Sequence, residues 1–150
     1  MSFRGTFEHA LDAKHRLTVP AKYRAALSGG VVVAFSPETE PGTPRTIAIW
    51  TPDAFEAYAN AALTGTSPLS ARARDLKRAL YNNSWEQELD AANRVMIPAP
   101  ALHYAGLDKE VVVTGSGECL EVCDRGRHAE SYEEVLTRIP DLTASLGDTA

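Results

Sequence analysis

The chain lacks the marks of export, of membrane insertion and of simple polyanion binding. No apolar run reaches the ~18 residues that a membrane span needs, and Met1-Ser2-Phe3-Arg4-Gly5 opens without the apolar core of a signal peptide. The expectation is a cytoplasmic protein with no membrane partner. Its only two cysteines, Cys119 and Cys123, are then expected as reduced thiols. The formal charge of −5 argues against a uniformly basic nucleic-acid binder. What the chain does have is apolar content: 44% of its 150 residues, enough for a packed globule rather than a disordered chain.

The negative total conceals an uneven distribution. Residues 1–30 carry Arg4, Lys14, Arg16, Lys22 and Arg24 against Glu8 and Asp12, a net of +3. Residues 70–82 carry Arg72, Arg74, Lys77 and Arg78 against Asp75, again +3. Residues 118–150 hold three arginines against eight acids, a net of −5. A more basic body with an acidic tail permits an anionic partner.

An internal repeat organises the body. Leu11-Asp-Ala-Lys-His-Arg-Leu-Thr-Val-Pro20 matches Leu89-Asp-Ala-Ala-Asn-Arg-Val-Met-Ile-Pro98, with Leu, Asp, Ala, Arg and Pro identical at an offset of 78. After each proline come a short alanine-rich stretch, a leucine and a valine triplet, Val31–Val33 and Val111–Val113, at an offset of 80. A further strand follows in each copy, Ile47–Trp50 and Leu120–Cys123, the first after a Pro/Gly-rich connection from Ser36 to Thr46.

Each copy predicts a strand, a turn at Asp-x-x-x-Arg, a second strand, and a short helix opened by Pro20 or Pro98. Gly29-Gly30 and Gly106 are the expected stops, followed by two more strands. Thr51-Pro52-Asp53 predicts a capped helix start, with Phe55, Tyr58, Ala62 and Leu63 on one face. Ser67-Pro68 should open a helix running to about Tyr81 with Leu69, Ala73, Leu76 and Leu80 as its stripe. A last helix is expected near 127–139, with a frayed acidic tail from Pro140. The divisions are 5–55 and 83–126 for the repeated units, 56–82 for connecting helices and 127–150 for the C-terminal helix and tail.

In each turn the Asp carboxylate can accept backbone N–H bonds, and the Arg four residues on is expected on the far strand of a hairpin within its reach. His15 and Asn93 precede the arginines, and both residue types tolerate the positive φ of a tight turn. A lone motif of this kind would only pin a hairpin. Here it recurs at matching positions, and the first copy adds Lys14, with Arg4 and Lys22 nearby in sequence. Arginine can grip phosphate or read a guanine edge with a fork of N–H donors, and a two-stranded ribbon fits the major groove. The DNA-binding candidates are therefore Asp12, Lys14, His15, Arg16, Asp90, Asn93, Arg94, Arg4 and Lys22.

With these motifs in place the sequence resembles the MraZ family, whose members carry two SpoVT-AbrB-type units in one chain. The opening block is Phe3-Arg4-Gly5, His9-x-Leu11-Asp12-Ala13-Lys14-x-Arg16-Leu17 and Val19-Pro20-Ala21-Lys22-Tyr23-Arg24. The second is Glu88-Leu89-Asp90-x-x-x-Arg94-Val95-x-Ile97-Pro98 and Tyr104-Ala105-Gly106-Leu107. The family usually has Gly where this chain has His15 and Asn93, and often Trp where it has His128. The resemblance implies an α+β fold of two tandem SpoVT-AbrB-like units, in the swapped-hairpin or double-psi-barrel manner, with pseudo-two-fold symmetry and short helices. It also implies a nucleoid-associated regulator that forms a homo-oligomeric ring and binds short double-stranded promoter repeats upstream of division and cell-wall genes.

Competing chemistries fare worse. Cys119 and Cys123 on one extended strand would lie ~13 Å apart, too far for a shared zinc ion. Gly115-Ser116-Gly117 lacks the spacing of a nucleophile elbow. No Gly-rich loop precedes a helix to cradle phosphate, and the four histidines have no visible triad partners. No enzyme activity, cofactor, metal or small-molecule substrate is expected. The alternative from another class is an oligomeric adaptor acting through protein contacts. Steep loss of binding with salt would favour DNA over that alternative.

Overall fold

The computed structural model describes residues 2–36 and 43–148; part of the Pro/Gly-rich connection, 37–42, lies outside the described residues. The order is β1 (Thr6–Ala10), β2 (Arg16–Thr18), β3 (Val31–Phe35), β4 (Ile47–Trp50), α1 (Pro52–Leu63), α2 (Ala71–Tyr81), β5 (Ser84–Gln87), β6 (Arg94–Met96), α3 (Ala99–Ala105), β7 (Glu110–Gly115), β8 (Leu120–Asp124) and α4 (Arg125–Asp148). The fold is α+β, and its sheets are antiparallel.

Strand order carries the repeat into three dimensions. Six strands lie in the order β1-β7-β8-β4-β3-β5, and β2 pairs with β6 apart from them. Exchanging the two sequence copies reverses this order without changing it. The first strand of each copy pairs with the third strand of the other, so Glu8 faces Val112 and its repeat equivalent Glu86 faces Val32. Leu17 faces Val95, its own equivalent, so the pseudo-dyad passes between them. The expected hairpin is corrected here. The turn closes, but β1 and β2 part after it, and each pairs with a strand of the other copy.

The reason is burial. The runs Val31–Ala34 and Ile47–Trp50 are buried on both sheet faces, as uninterrupted apolar strands should be. One face packs Val31, Val33, Ile47, Ile49, Val111, Val113, Leu120 and Val122 against Leu17, Val95 and Ile97. On the other, Val32, Ala34, Ala48 and Trp50 meet Phe55 and Ala59 of α1 and Leu80 of α2. A single copy would leave its strands half covered.

Several helix expectations shift. Thr51 caps α1 as predicted, accepting from Ala54 N at 3.3 Å, but Ala59 is buried where Ala62 was expected. α2 begins at Ala71, capped by Ser70, so Leu69 precedes the helix and is exposed. The stretch Ala21–Leu27 forms only a 3-10 turn at Ala21–Tyr23 before further turns. Tertiary packing decides this. Tyr23 is buried against Phe3 and Phe7, and its hydroxyl both donates to Arg4 O and accepts from Arg4 N at 2.6 Å. Pro98 is the cap of α3 rather than its first residue, and Gly106, at φ 60, closes that helix. α4 does not stop at Pro140: it continues as helix to Asp148. The acidic composition of that segment obscured apolar residues that keep helical spacing past the proline.

Candidate nucleic-acid interface

The two turns share one geometry. In the first, Asp12 Oδ1 accepts from Lys14 N and Arg16 N at 2.9 Å each, and Oδ2 accepts from Arg16 Nε at 2.7 Å. In the second, Asp90 Oδ1 accepts from Ala92 N and Arg94 N at 2.9 Å each, and Oδ2 accepts from Arg94 Nε at 2.9 Å. His15 N donates to Asp12 O, and Asn93 N to Asp90 O. The residues before the arginines, His15 and Asn93, both have φ of 59°, the left-handed region their types were expected to tolerate.

The turns also lock into each other. Val19 N donates to Asn93 O at 3.0 Å, and Ile97 N donates to His15 O at 2.9 Å. Each left-handed residue therefore gives its carbonyl to the opposite copy. The Arg94 guanidinium reaches Asp12 Oδ2 across the pseudo-dyad at 3.7 Å. Both carboxyls are held below the ordinary carboxylate range, first by the backbone N–H of the arginine four residues on and then by its guanidinium; partial desolvation opposes the shift.

Between the turns, β2 and β6 form a two-stranded ribbon with two unlike faces. Leu17 and Val95 point into the core with no exposed surface. By strand alternation Arg16, Thr18, Arg94 and Met96 share the outer face. The arginine side chains there are 26% and 31% exposed. Among the described residues, the terminal nitrogens of Arg16 have no hydrogen-bond partner. The ribbon thus offers two aspartate-oriented forks on one surface.

The predicted site residues divide into two groups. Asp12, Lys14, His15 and Arg16 come together with Asp90, Asn93 and Arg94 around the pseudo-dyad. Arg4 and Lys22 do not join them. They flank Tyr23 beyond the opposite end of β1, Lys22 Nζ lying 5.5 Å from the ring centroid. Thr18 and Met96, the latter 52% exposed, escaped the sequence reading. The two-residue period from Arg16 and Arg94 marks both. Lys109 escaped as well: its carbonyl accepts from Leu11 N at 2.8 Å, which sets it beside the first turn. No sequence signal links residues so far apart.

Other candidate chemistry finds no support. Cys119 and Cys123 are buried, and burial pushes their thiols up to about 12 and about 11, away from reactivity. No cluster of metal-binding side chains occurs among the described residues, and no helix among them is long and apolar enough to cross a membrane.

The fold and site define a class: a single-chain, strand-exchanged pair of β-rich repeats carrying twin Asp-x-x-x-Arg turns at one edge. The chain matches the family model described as "MraZ protein, putative antitoxin-like" over residues 2–78 and 80–141. It is 33% identical to a transcriptional regulator MraZ of Mycoplasmoides gallisepticum over 146 residues, 97% of this chain and 98% of the relative. It is 38% identical to that of a Nocardioides species, over 95% of this chain and 94% of the relative. It is 35% identical to that of Mycolicibacterium smegmatis, over 94% and 96%. The chain belongs to the MraZ family.

Proposed function

We propose that this protein is a DNA-binding transcriptional regulator that reads short promoter repeats through the β2–β6 ribbon and its two turns. One observation carries the reading. Arg16 and Arg94 stand on the outer face of a single ribbon, each tethered through Nε to an aspartate that leaves terminal nitrogens to meet an anion or a base edge. A two-stranded ribbon fits the major groove, and a guanidinium fork bonds guanine O6 and N7 or a phosphate. Lys14 and Lys109 add phosphate contacts beside the first turn. Arg4 and Lys22, away from the ribbon, serve flanking phosphates.

In this reading residues 5–55 and 83–126 are SpoVT-AbrB-type units, joined by 56–82 and followed by 127–150. One ribbon makes few contacts, so useful affinity comes from several subunits of a ring engaging repeated half-sites upstream of division and cell-wall genes. The protein acts at the nucleoid in the cytoplasm, without cofactor, metal or enzymatic step. The relatives' name, transcriptional regulator, supports this assignment.

The test is titration of a promoter duplex at two salt concentrations with Arg16→Ala/Arg94→Ala. The wild type should lose affinity steeply with salt, and the double variant should bind at least about 30-fold more weakly, given roughly 1–3 kcal/mol per specific arginine contact. Undiminished binding by a folded double variant would remove the ribbon from the mechanism.

A further inference from the structure

The outer face of the ribbon holds one large apolar side chain among its arginines. Arg16 faces Met96 across the two strands, and Thr18 faces Arg94. Backbone bonds close at the neighbouring pairs, Ile97 N to His15 O and Val19 N to Asn93 O. Arg16 with Met96 and Thr18 with Arg94 are therefore the narrow, non-hydrogen-bonded pairs, in which facing side chains lie closest. The pseudo-dyad exchanges Arg16 with Arg94 and Thr18 with Met96. The backbone is thus symmetric and the surface is not: one arginine stands beside a hydroxyl, the other beside a thioether.

Met96 leaves about half of its surface in water, whereas Val95 and Ile97 on either side of it are buried in the core. A side chain this exposed adds little to packing, yet its backbone is held firmly. Gln87 Nε2 donates to Met96 O at 2.7 Å, and Met96 N donates to Gln87 Oε1 at 3.1 Å. This clasp occupies both edge groups of β6 at that residue and keeps Met96 opposite Arg16. The equivalent of Gln87 in the first copy is His9, whose imidazole lacks the adjacent donor and acceptor of an amide. The two-point clasp is therefore particular to the methionine.

We propose that Met96 reads the 5-methyl group of a thymine next to the base contacted by Arg16, and so gives the ribbon a direction on its half-site. That methyl is the apolar feature of the major groove, and an apolar side chain distinguishes it from the bare edge of cytosine. The unbranched, polarisable thioether adapts to a small convex target of this kind. Thr18, beside Arg94, carries a hydroxyl that bonds donors or acceptors on the bases, so the two halves of the ribbon recognise different chemistry. A duplex fitted one way sets its thymine against methionine; turned end for end, it meets threonine instead. The proposal rests on the DNA reading above and adds a determinant that neither arginine supplies.

The experiment uses the full-length protein and the promoter duplex titrated above, resynthesised with deoxyuridine for thymidine at one position at a time. Uracil keeps every hydrogen-bonding group of thymine and lacks only the methyl. At one thymine of the half-site the wild type should bind the uracil duplex about fourfold more weakly, the worth of one methyl group taken out of water. Met96→Ala should bind the two duplexes alike at that position, and Met96→Leu should restore the preference for thymine. Both variants alter an exposed side chain and leave the backbone clasp in place, so their unfolding transitions should match the wild type. Binding that depends on Arg16 and Arg94 but ignores every uracil, or a preference that survives Met96→Ala, overturns the methyl contact and leaves the ribbon reading intact. Binding indifferent to both arginines overturns the two together.

Discussion

The first and second Asp-x-x-x-Arg turns have the same hydrogen bonds to within 0.2 Å, yet they stand in different electrostatic surroundings. Around the first are Lys14 and Lys109. At the equivalent positions around the second are Ala92 and Gly29, with Glu88 on the chain before it where the first has Ala10; Glu8 and Glu86 are matched, and Asp108 lies beside Lys109 at the first. The carboxylates differ too. Asp12 accepts from its own arginine and approaches Arg94, whereas Arg16 and Asp90 do not come within ion-pair distance. Backbone geometry is therefore what the repeat preserves, and charge is what it lets diverge. In the proposed function, a duplex laid across the ribbon would meet a more positive edge on the first turn.

The largest expected effect abolishes the comparison by removing what both turns share. Leu17→Ala empties the fully buried contact on the pseudo-dyad and should lower stability by about 2–5 kcal/mol, read by denaturant unfolding. An effect below about 1 kcal/mol would mean the halves do not depend on that contact. Next, Arg16→Ala and Arg94→Ala should each weaken duplex binding by roughly 1–3 kcal/mol, with the larger loss at Arg16. Equal losses would show that the neighbouring lysines do not bias the ribbon. Lys14→Ala should reduce the slope of log affinity against log salt by about one, whereas Ala92→Lys should raise it.

Smaller effects sharpen the backbone side. His15→Gly removes a side chain from φ 59° and should stabilise the fold by up to about 1 kcal/mol. Asn93→Gly should gain less, because asparagine tolerates that region better. The acid limb of unfolding gives the finest test. The Asp12 and Asp90 carboxyls titrate lower folded than unfolded, so their stabilisation is complete above the unfolded value and drains away as pH falls through the folded one. Asp12→Asn and Asp90→Asn should each flatten stability against pH below about 4, Asp12→Asn slightly more because Arg94 also faces it. An unchanged acid limb would dissociate these carboxyls from folding.

Much of this was legible in the sequence because the repeat compares the chain with itself. Asp12 with Arg16, the positive φ of His15 and Asn93, the Thr51 cap and the Gly106 stop are local signals, and each holds in three dimensions. What was not legible depends on where strands go after they leave a turn. Nothing between residues 6 and 18 says that β1 seeks β7 while β2 seeks β6, so the turn reads as a simple hairpin. The same long-range pairing sends Arg4 and Lys22 to the far end from Arg16 and brings in Lys109. At the C-terminus, a proline and several acids masked the helical spacing of Tyr132, Val135, Ile139 and Leu142.

The exchange of strands also sets a timetable for biosynthesis. Thr6 pairs with Thr114 and Ala10 with Glu110, so the first strand made must wait for more than 100 further residues before its partner exists. Loops of that length close slowly relative to local structure, and the edge of β1 stays unpaired meanwhile. A nascent chain halted before β7 would have no partner strand for β1, and the repeat that makes the finished protein symmetric makes its birth strictly sequential.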